Sequence, residues 1–167
     1  FVPSRGLGDV YKRQLVSRAS ALGCDAVRLR ILHLLATCYG RRMQREEARR
    51  CRREWIALTR KLDRPIVTTL ARASDALSRL DEGERSAAAE LQSLAAALRR
   101  MGRIDVACFY EGASVMSWLE SGRGRACVER LSELHAELAP RGPSRPLGQL
   151  EIWRATAPVS YTHLTLP

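Results

Sequence analysis

The residues able to do chemistry in this chain are its cysteines, histidines, serines and arginines, and their spacing decides what they could do. Cys24, Cys38, Cys51, Cys108 and Cys127 match no CxxC or Cys/His metal pattern. Cys38, Cys51 and Cys127 fall on apolar helical stripes, so the expectation is buried free thiols in a cytoplasmic protein rather than disulfides. His33 and His135 have no cysteine or carboxylate at ligand spacing and read as ordinary structural or surface residues. Ser114, Ser117 and Ser121 form no local nucleophile motif. Gly122-Arg123-Gly124 lacks the strand and lysine of a phosphate loop, and Asp81, Glu82 and Glu84 sit in a turn. No catalytic residue, cofactor site or metal site is expected.

The remaining feature is a basic cluster of Arg41, Arg42, Arg45, Arg49, Arg50, Arg52 and Arg53. Glu46, Glu47 and Glu54 interrupt it and Trp55 falls on an apolar stripe, which argues against direct nucleic-acid binding and for a solvated helix face. Arg42, Arg45, Arg49 and Arg53 are its candidate interaction residues, suited to an acidic surface on a neighbouring domain or a protein partner. The formal charge of +10 agrees with an arginine-driven anion surface, and equally with a GC-rich genome whose codons favour arginine. No apolar run approaches the roughly 18–20 residues of a membrane span.

The elements that must position these residues are helices. Ala87–Met101, Val106–Leu119 and Ala126–Leu138 follow one another, separated by Gly102–Asp105 and Ser121–Gly124. The outer two carry the same apolar line, Ala87/Leu91/Leu94/Leu98 and Cys127/Leu131/Leu134/Leu138, with steps of four, three and four. Upstream, a helix ending at Leu22 is closed by Gly23, and Asp25 is positioned to cap a helix running to Tyr39 with Val27, Ile31, Leu34, Leu35 and Cys38 inward. Arg45–Leu62 places Ala48, Cys51, Trp55, Leu58 and Leu62 inward, and Ile66–Leu80 places Leu70, Ala73, Leu77 and Leu80 inward. Register comparison of the stripes beginning at Cys51, Ala87 and Cys127, and of those beginning at Ile31, Leu70 and Val106, gives an irregular period of 36 to 40 residues over helix pairs, longer than an ideal tetratricopeptide repeat. An ordinary antiparallel bundle is the competing architecture.

Both termini resemble translated sequencing adaptor. Ser4–Gln14 (SRGLGDVYKRQ) and Val159–Pro167 (VSYTHLTLP) are what the two strands of one transposase-adaptor end encode. The expected organisation is therefore adaptor over residues 1–14, a helical repeat array over 15–139, a Pro/Gly linker over 140–146, a truncated helix over 147–158, and adaptor again over 159–167. The insert reads as a fragment of a longer protein, and Tyr161 and His163 receive no role.

Within the insert, TCYGRRMQREEARRC (Thr37–Cys51) resembles the tetratricopeptide turn, with Tyr39 and Ala48 at that motif's spacing and Leu32, Leu35 and Ala36 on its first-helix positions. Arg52 departs from the pattern, standing where an aromatic is usual. LARASDALSRLDEGERSAAAELQSLAAALRRMGRIDVACFYEGASVMSWLESGRGRACVERLSEL (Leu70–Leu134) is similar to the helical region that precedes the DNA-binding domain of large LuxR-type bacterial regulators. The resemblance implies an all-α fold of antiparallel helix pairs, stacked as a tetratricopeptide-like right-handed solenoid fragment. It also implies a non-enzymatic interaction or sensory role in a bacterial signalling or transcriptional regulator. The alternatives are an adaptor array of a multidomain ATPase, cyclase or kinase, and a small-molecule-binding helical domain.

Overall fold

A computed structural model describes residues 14–165 of the backbone, and the side chains through Val159. The regular structure of the described residues is entirely helical: α1 (residues 14–21), α2 (Asp25–Arg41), α3 (Arg45–Lys61), α4 (Pro65–Asp81), α5 (Ala87–Arg100), α6 (Ile104–Met116), α7 (Gly124–Leu138), a 3-10 turn (Ala139–Arg141) and α8 (Arg145–Thr165). The chain divides after Ala71 into two compact units, with α4 spanning the division. Most of the expected adaptor, residues 1–13 and the side chains from 160 onward, lies outside the described residues.

The turns explain the helix lengths. Backbone φ is positive at Gly23, Met43, Asp63, Gly83, Gly102, Gly122 and Gly142, so a left-handed residue recurs every 19 or 20 positions. At the first six, the amide of the next residue (Cys24, Gln44, Arg64, Glu84, Arg103, Arg123) donates to the carbonyl five residues back, at 2.9–3.2 Å. The left-handed residue's own amide donates to the carbonyl three back. This is the Schellman closure, and it satisfies carbonyls that the helix end would otherwise orphan. At Gly142 the following residue is Pro143, which has no amide, and only the shorter bond to Ala139 forms. Acidic side chains in first turns (Asp25, Glu46, Glu47, Glu90, Asp105) and basic ones in last turns (Arg41, Arg60, Lys61, Arg79, Arg99, Arg100) complement the helix dipoles.

Counting back from the left-handed residue that closes it, each of α3, α5 and α7 has one buried line at −15, −11, −8 and −4. In α5 it is Ala87/Leu91/Leu94/Leu98 and in α7 Cys127/Leu131/Leu134/Leu138, all buried as their spacing predicts. In α3 it is Ala48/Arg52/Trp55/Thr59, also all buried. The α3 line therefore starts at Ala48 rather than Cys51, and the pairwise period is 39 or 40 residues rather than the looser 36–40. In α2 the buried face is Leu32/Leu35/Ala36/Tyr39. Of the stripe expected there, only Leu35 is buried; Val27, Leu34 and Cys38 are exposed and Ile31 is half-buried. Both stripes of α2 have helical periodicity, and periodicity alone does not say which one meets α3. Asp25 is also not a cap: it is the first residue of α2, the cap position is Cys24, and no side chain bonds the free amides there.

In the first unit, Leu32, Trp55, Leu58 and Ala71 form one cluster and Leu35, Tyr39 and Ala48 another. In the second, α6 packs on α5 and α7, and α8 packs on both α6 and α7. Cys108, Val115, Leu119, Cys127, Leu131, Leu134, Leu138, Leu150 and Ala157 form its core. α6 and α8 approach closely because Gly112 has no side chain: a Cβ there would lie 2.7 Å from Leu150 Cδ2 and 3.0 Å from Trp153 Cζ3. Ser114, fully buried, crosses from α6 to donate to the Ala88 carbonyl at 3.0 Å. The Pro/Gly stretch at 140–146 folds as the 3-10 turn and the start of α8, and α8 continues past Pro158 instead of ending before it.

Three mutations test this account. Met43 is an exposed L-residue in the left-handed region, a conformation that costs roughly 1–2 kcal/mol. Met43→Gly should raise unfolding stability by about 1 kcal/mol in urea titration, whereas Gly102→Ala should lower it by a similar amount. Gly112→Ala should cost about 1–3 kcal/mol through overpacking and change the near-UV circular dichroism of Trp153.

Candidate interaction site

The four candidate arginines lie in the first unit. Arg42 is the C-cap residue of α2; Arg45, Arg49 and Arg53 follow at four-residue steps along one face of α3. Arg42, Arg45 and Arg53 are exposed and Arg49 is half-buried, its guanidinium paired with Glu46 at 2.9 Å. Arg50 pairs with Glu54 at 3.3 Å on the neighbouring face. These pairs are solvent-exposed, and each contributes only about 0.2–0.5 kcal/mol. Arg52 separates from the rest of the cluster. It is buried at the inward position that Leu32, Leu91 and Leu131 occupy in α2, α5 and α7. The basic face is therefore narrower than the run of arginines suggests.

On the other side of the same hairpin, α1, α2 and α3 line a partly open pocket of about 350 Å³ that sequence reasoning missed. Val16, Leu32, Leu35 and Tyr39 supply an apolar wall; Arg28, Glu47, Arg50 and Glu54 supply charge. Arg28 occupies the −15 position, where α3 has Ala48 and α5 has Ala87, and its Nε is buried without a hydrogen-bond acceptor. Arginine at a position that is alanine in α3 and α5 is a signal visible only once the 20-residue register is known.

The second unit carries its charges differently. Arg79 of α4 pairs with Asp75 at 3.2 Å, with Glu84 at 2.8 Å and with Glu90 of α5; Arg72 reaches Glu90 at 3.2 Å. Glu111 of α6 accepts from Arg99 of α5 at 3.1 Å and from Arg130 of α7; Arg99 also pairs with Glu137, and Arg130 with Glu133. Arg72, Asp75 and Arg79 of α4 and Glu111 of α6 stand at −11, −8 or −4, so positions that are leucine in α5 and α7 carry charge here; Arg72 is exposed and the other three are half-buried. Guanidinium suits this use because its planar fork can serve several carboxylates at once.

The remaining reactive groups have structural surroundings. Cys108 and Cys127 are buried and Cys24, Cys38 and Cys51 are exposed or half-exposed; all five are free thiols. Burial pushes the Cys127 thiol up to about 11 and raises Cys108, so neither forms thiolate readily. Cys108 is buried in the core of the second unit, and Cys38 is exposed where a buried thiol was expected, because it lies off the Leu32/Leu35/Tyr39 face of α2. Burial likewise raises the Tyr110 phenol to about 12. The His33 ring tilts over Trp55 at 4.6 Å between centroids; desolvation, then the charge of Arg30, lowers its pKa. His135 lies 3.4 Å from Glu151. Trp118 lies in the turn after α6 with the Arg123 guanidinium carbon 4.1 Å from its ring centre. Among the described residues no group of three His, Cys, Asp or Glu is placed to hold a metal, and no helix is long and apolar enough to cross a membrane.

The carboxylate of Glu90 gives the second unit a defined acid response. Burial works to raise its pKa, but hydrogen bonds and charge from Arg79 and Arg72 outweigh it and hold it below the usual glutamate value. Its stabilising contribution is therefore complete above the unfolded-state pKa and is lost as pH falls through the folded one. Stability measured by urea titration should decline as pH is lowered through the carboxylate range, and Glu90→Gln should flatten that decline.

Comparison with protein-family models, with curated proteins and with solved structures finds no match to this chain.

Proposed function

We propose that the chain is a helix-pair repeat segment that works by contact, as the interaction or sensory region of a larger bacterial regulator, of the LuxR type that Leu70–Leu134 resembles. The observation that carries this reading is the turn spacing: six Schellman closures of one geometry at 19- or 20-residue intervals, together with a fully buried line at one register in α3, α5 and α7. A repeated unit of this kind supports stacking into a tetratricopeptide-like right-handed solenoid, because each helix pair then meets only its neighbours. α6 touches both α7 and α8, the next helix and the next but one, as such stacking would require. Arrays of this kind present extended surfaces to protein partners. Arg42, Arg45, Arg49 and Arg53 would supply a basic strip facing an acidic partner or neighbouring domain in the cytoplasm. The adaptor-array alternative of a multidomain ATPase, cyclase or kinase uses the same surface. The cavity between α1, α2 and α3 favours a second reading, a small-molecule site within the segment, with an apolar wall for the ligand body and Arg28 for a hydrogen-bond acceptor.

Two measurements test the proposal at its two levels. Deleting residues 64–102, one period, joins Asp63 to Arg103 with the turn register intact. An array retains helical circular dichroism per residue and cooperative unfolding, whereas a bundle with a single shared core loses cooperativity and binds a hydrophobic dye. At the level of function, reversing charge at Arg42, Arg45, Arg49 and Arg53 in the full-length regulator should weaken partner binding or reporter output. Unchanged output and unchanged interactions would remove the basic strip from the mechanism.

A further inference from the structure

The pocket lined by α1, α2 and α3 has a direction. Its α2 wall is Arg28, Leu32, Leu35 and Tyr39, at steps of four, three and four. These residues share one helix face, and at 1.5 Å rise per residue they span roughly 16 Å. The turn at Met43 sets α3 antiparallel beside them: Leu32 clusters with Trp55 and Leu58, and Tyr39 with Ala48. The charges on the α3 wall are therefore ordered too. Glu47 stands at the Tyr39 end, and Arg50 and Glu54, paired with each other at 3.3 Å, follow toward Arg28. Leu32, Leu35 and Tyr39 are buried and Val16 of α1 is half-buried, whereas Ser17, Ser20 and Arg50 are exposed. The pocket thus has an apolar floor and a polar rim, with a guanidinium at one end of the floor. Arg28 Nε is fully buried there with no hydrogen-bond acceptor, a cost that an oxygen atom of a ligand would remove.

We propose that this pocket binds a linear apolar monocarboxylate, a medium-chain fatty acid, with its carboxylate on Arg28 and its chain along Leu32, Leu35 and Tyr39 against Val16. A carboxylate is the acceptor that makes the strongest hydrogen bond to a guanidinium, because both partners are charged. A linear chain suits the floor, which is elongated and offers apolar side chains where a sugar or nucleotide would need polar partners. A volume of about 350 Å³ lies at the small end of ligand pockets, in keeping with a chain of medium length. Glu47 at the far end sets a selectivity: a second carboxylate on the ligand would meet a like charge there, so monoacids are bound in preference to diacids. The inference rests on reading this pocket as a small-molecule site.

Titration of the full chain with decanoate, kept below its micelle concentration and followed by NMR, provides the test. Resonances of Leu32, Leu35 and Tyr39 and the indole of Trp55, which packs beside Leu32, should move, while the indoles of Trp118 and Trp153 stay in place. Butyrate, with the same head and almost no body, should move none of them. Arg28→Met should weaken decanoate binding by at least about tenfold and leave decanol binding in place. Helical circular dichroism checks that the variant folds, and Arg28→Gln replaces one that does not. Decanedioate should bind at least about tenfold more weakly than decanoate, and Glu47→Gln should narrow that gap. Decanoate that binds equally well without Arg28 overturns the proposal, as does decanedioate that binds as tightly as decanoate. Decanol that binds wild-type protein as tightly as decanoate overturns the carboxylate assignment and leaves a small-molecule site standing. If neither decanoate nor decanol moves the pocket resonances, the small-molecule reading falls with it.

Discussion

The structure depends on one small hydrogen-bonded closure. An amide just past each helix end donates to a carbonyl five residues back, and the intervening residue must enter the left-handed region to allow it. The closure has three consequences. It ends the helix, it satisfies polar groups that would otherwise be stranded at its end, and it leaves a single residue before the following helix starts, or three after Gly83. With turns this short, consecutive helices have to run antiparallel and adjacent, and the 20-residue pitch follows from a helix of about four turns plus its closure. Five of the seven left-handed positions are glycine, which tolerates that conformation freely. Asp63 is a tolerated substitute, and Met43 bears the cost without compensation from packing, being largely exposed.

At that pitch α3, α5 and α7 each bury four residues in the same register, and in α5 and α7 most of these are leucine, whose burial is worth roughly 25 cal/mol per Å² of apolar surface removed from water. Where the same positions carry Arg72, Asp75, Arg79 and Glu111, the side chains are exposed or half-buried and each charge is met by an opposite one on the same or a neighbouring helix. The two solutions alternate along the second unit: ionic in α4, leucine in α5, mixed in α6, leucine in α7. Charged lines specify which helix fits beside which, because a one-turn slip would leave a guanidinium facing apolar surface. The leucine lines carry no such discrimination.

Much of this was legible beforehand. The Ala87 and Cys127 lines could be read from spacing because their helices are amphipathic on one side only, and Gly102 and Gly122 stand where glycine usually ends a helix. The α2 face was misassigned because that helix is apolar on two sides: Val27/Ile31/Leu34/Cys38 has helical spacing as regular as Leu32/Leu35/Tyr39, and local pattern does not rank them. The period looked irregular for a related reason. Starting the α3 line at Cys51 instead of Ala48 moved it by nearly a turn, and the turns at Met43 and Asp63 carry no glycine to correct it. The basic cluster was read as one surface, yet Arg52 lies on the inward line, as the 20-residue count places it. The pocket beside Arg28 had no sequence signal beyond an arginine at a position that is alanine in α3 and α5.

Pro143 gives the last turn a different character. In the first six turns a backbone proton is held in the closing hydrogen bond, on Cys24, Gln44, Arg64, Glu84, Arg103 and Arg123. At the seventh, the ring of proline stands where that proton would be, and the bend is fixed by ring stereochemistry and the shorter Gly142 bond. Hydrogen exchange would therefore show a ladder of slow amides at 19- or 20-residue intervals, each rung reporting the opening of one hairpin, and then fall silent at the junction of α7 with α8. Opening of that junction would have to be followed through Trp153, whose indole lies on the far side of it against Phe109.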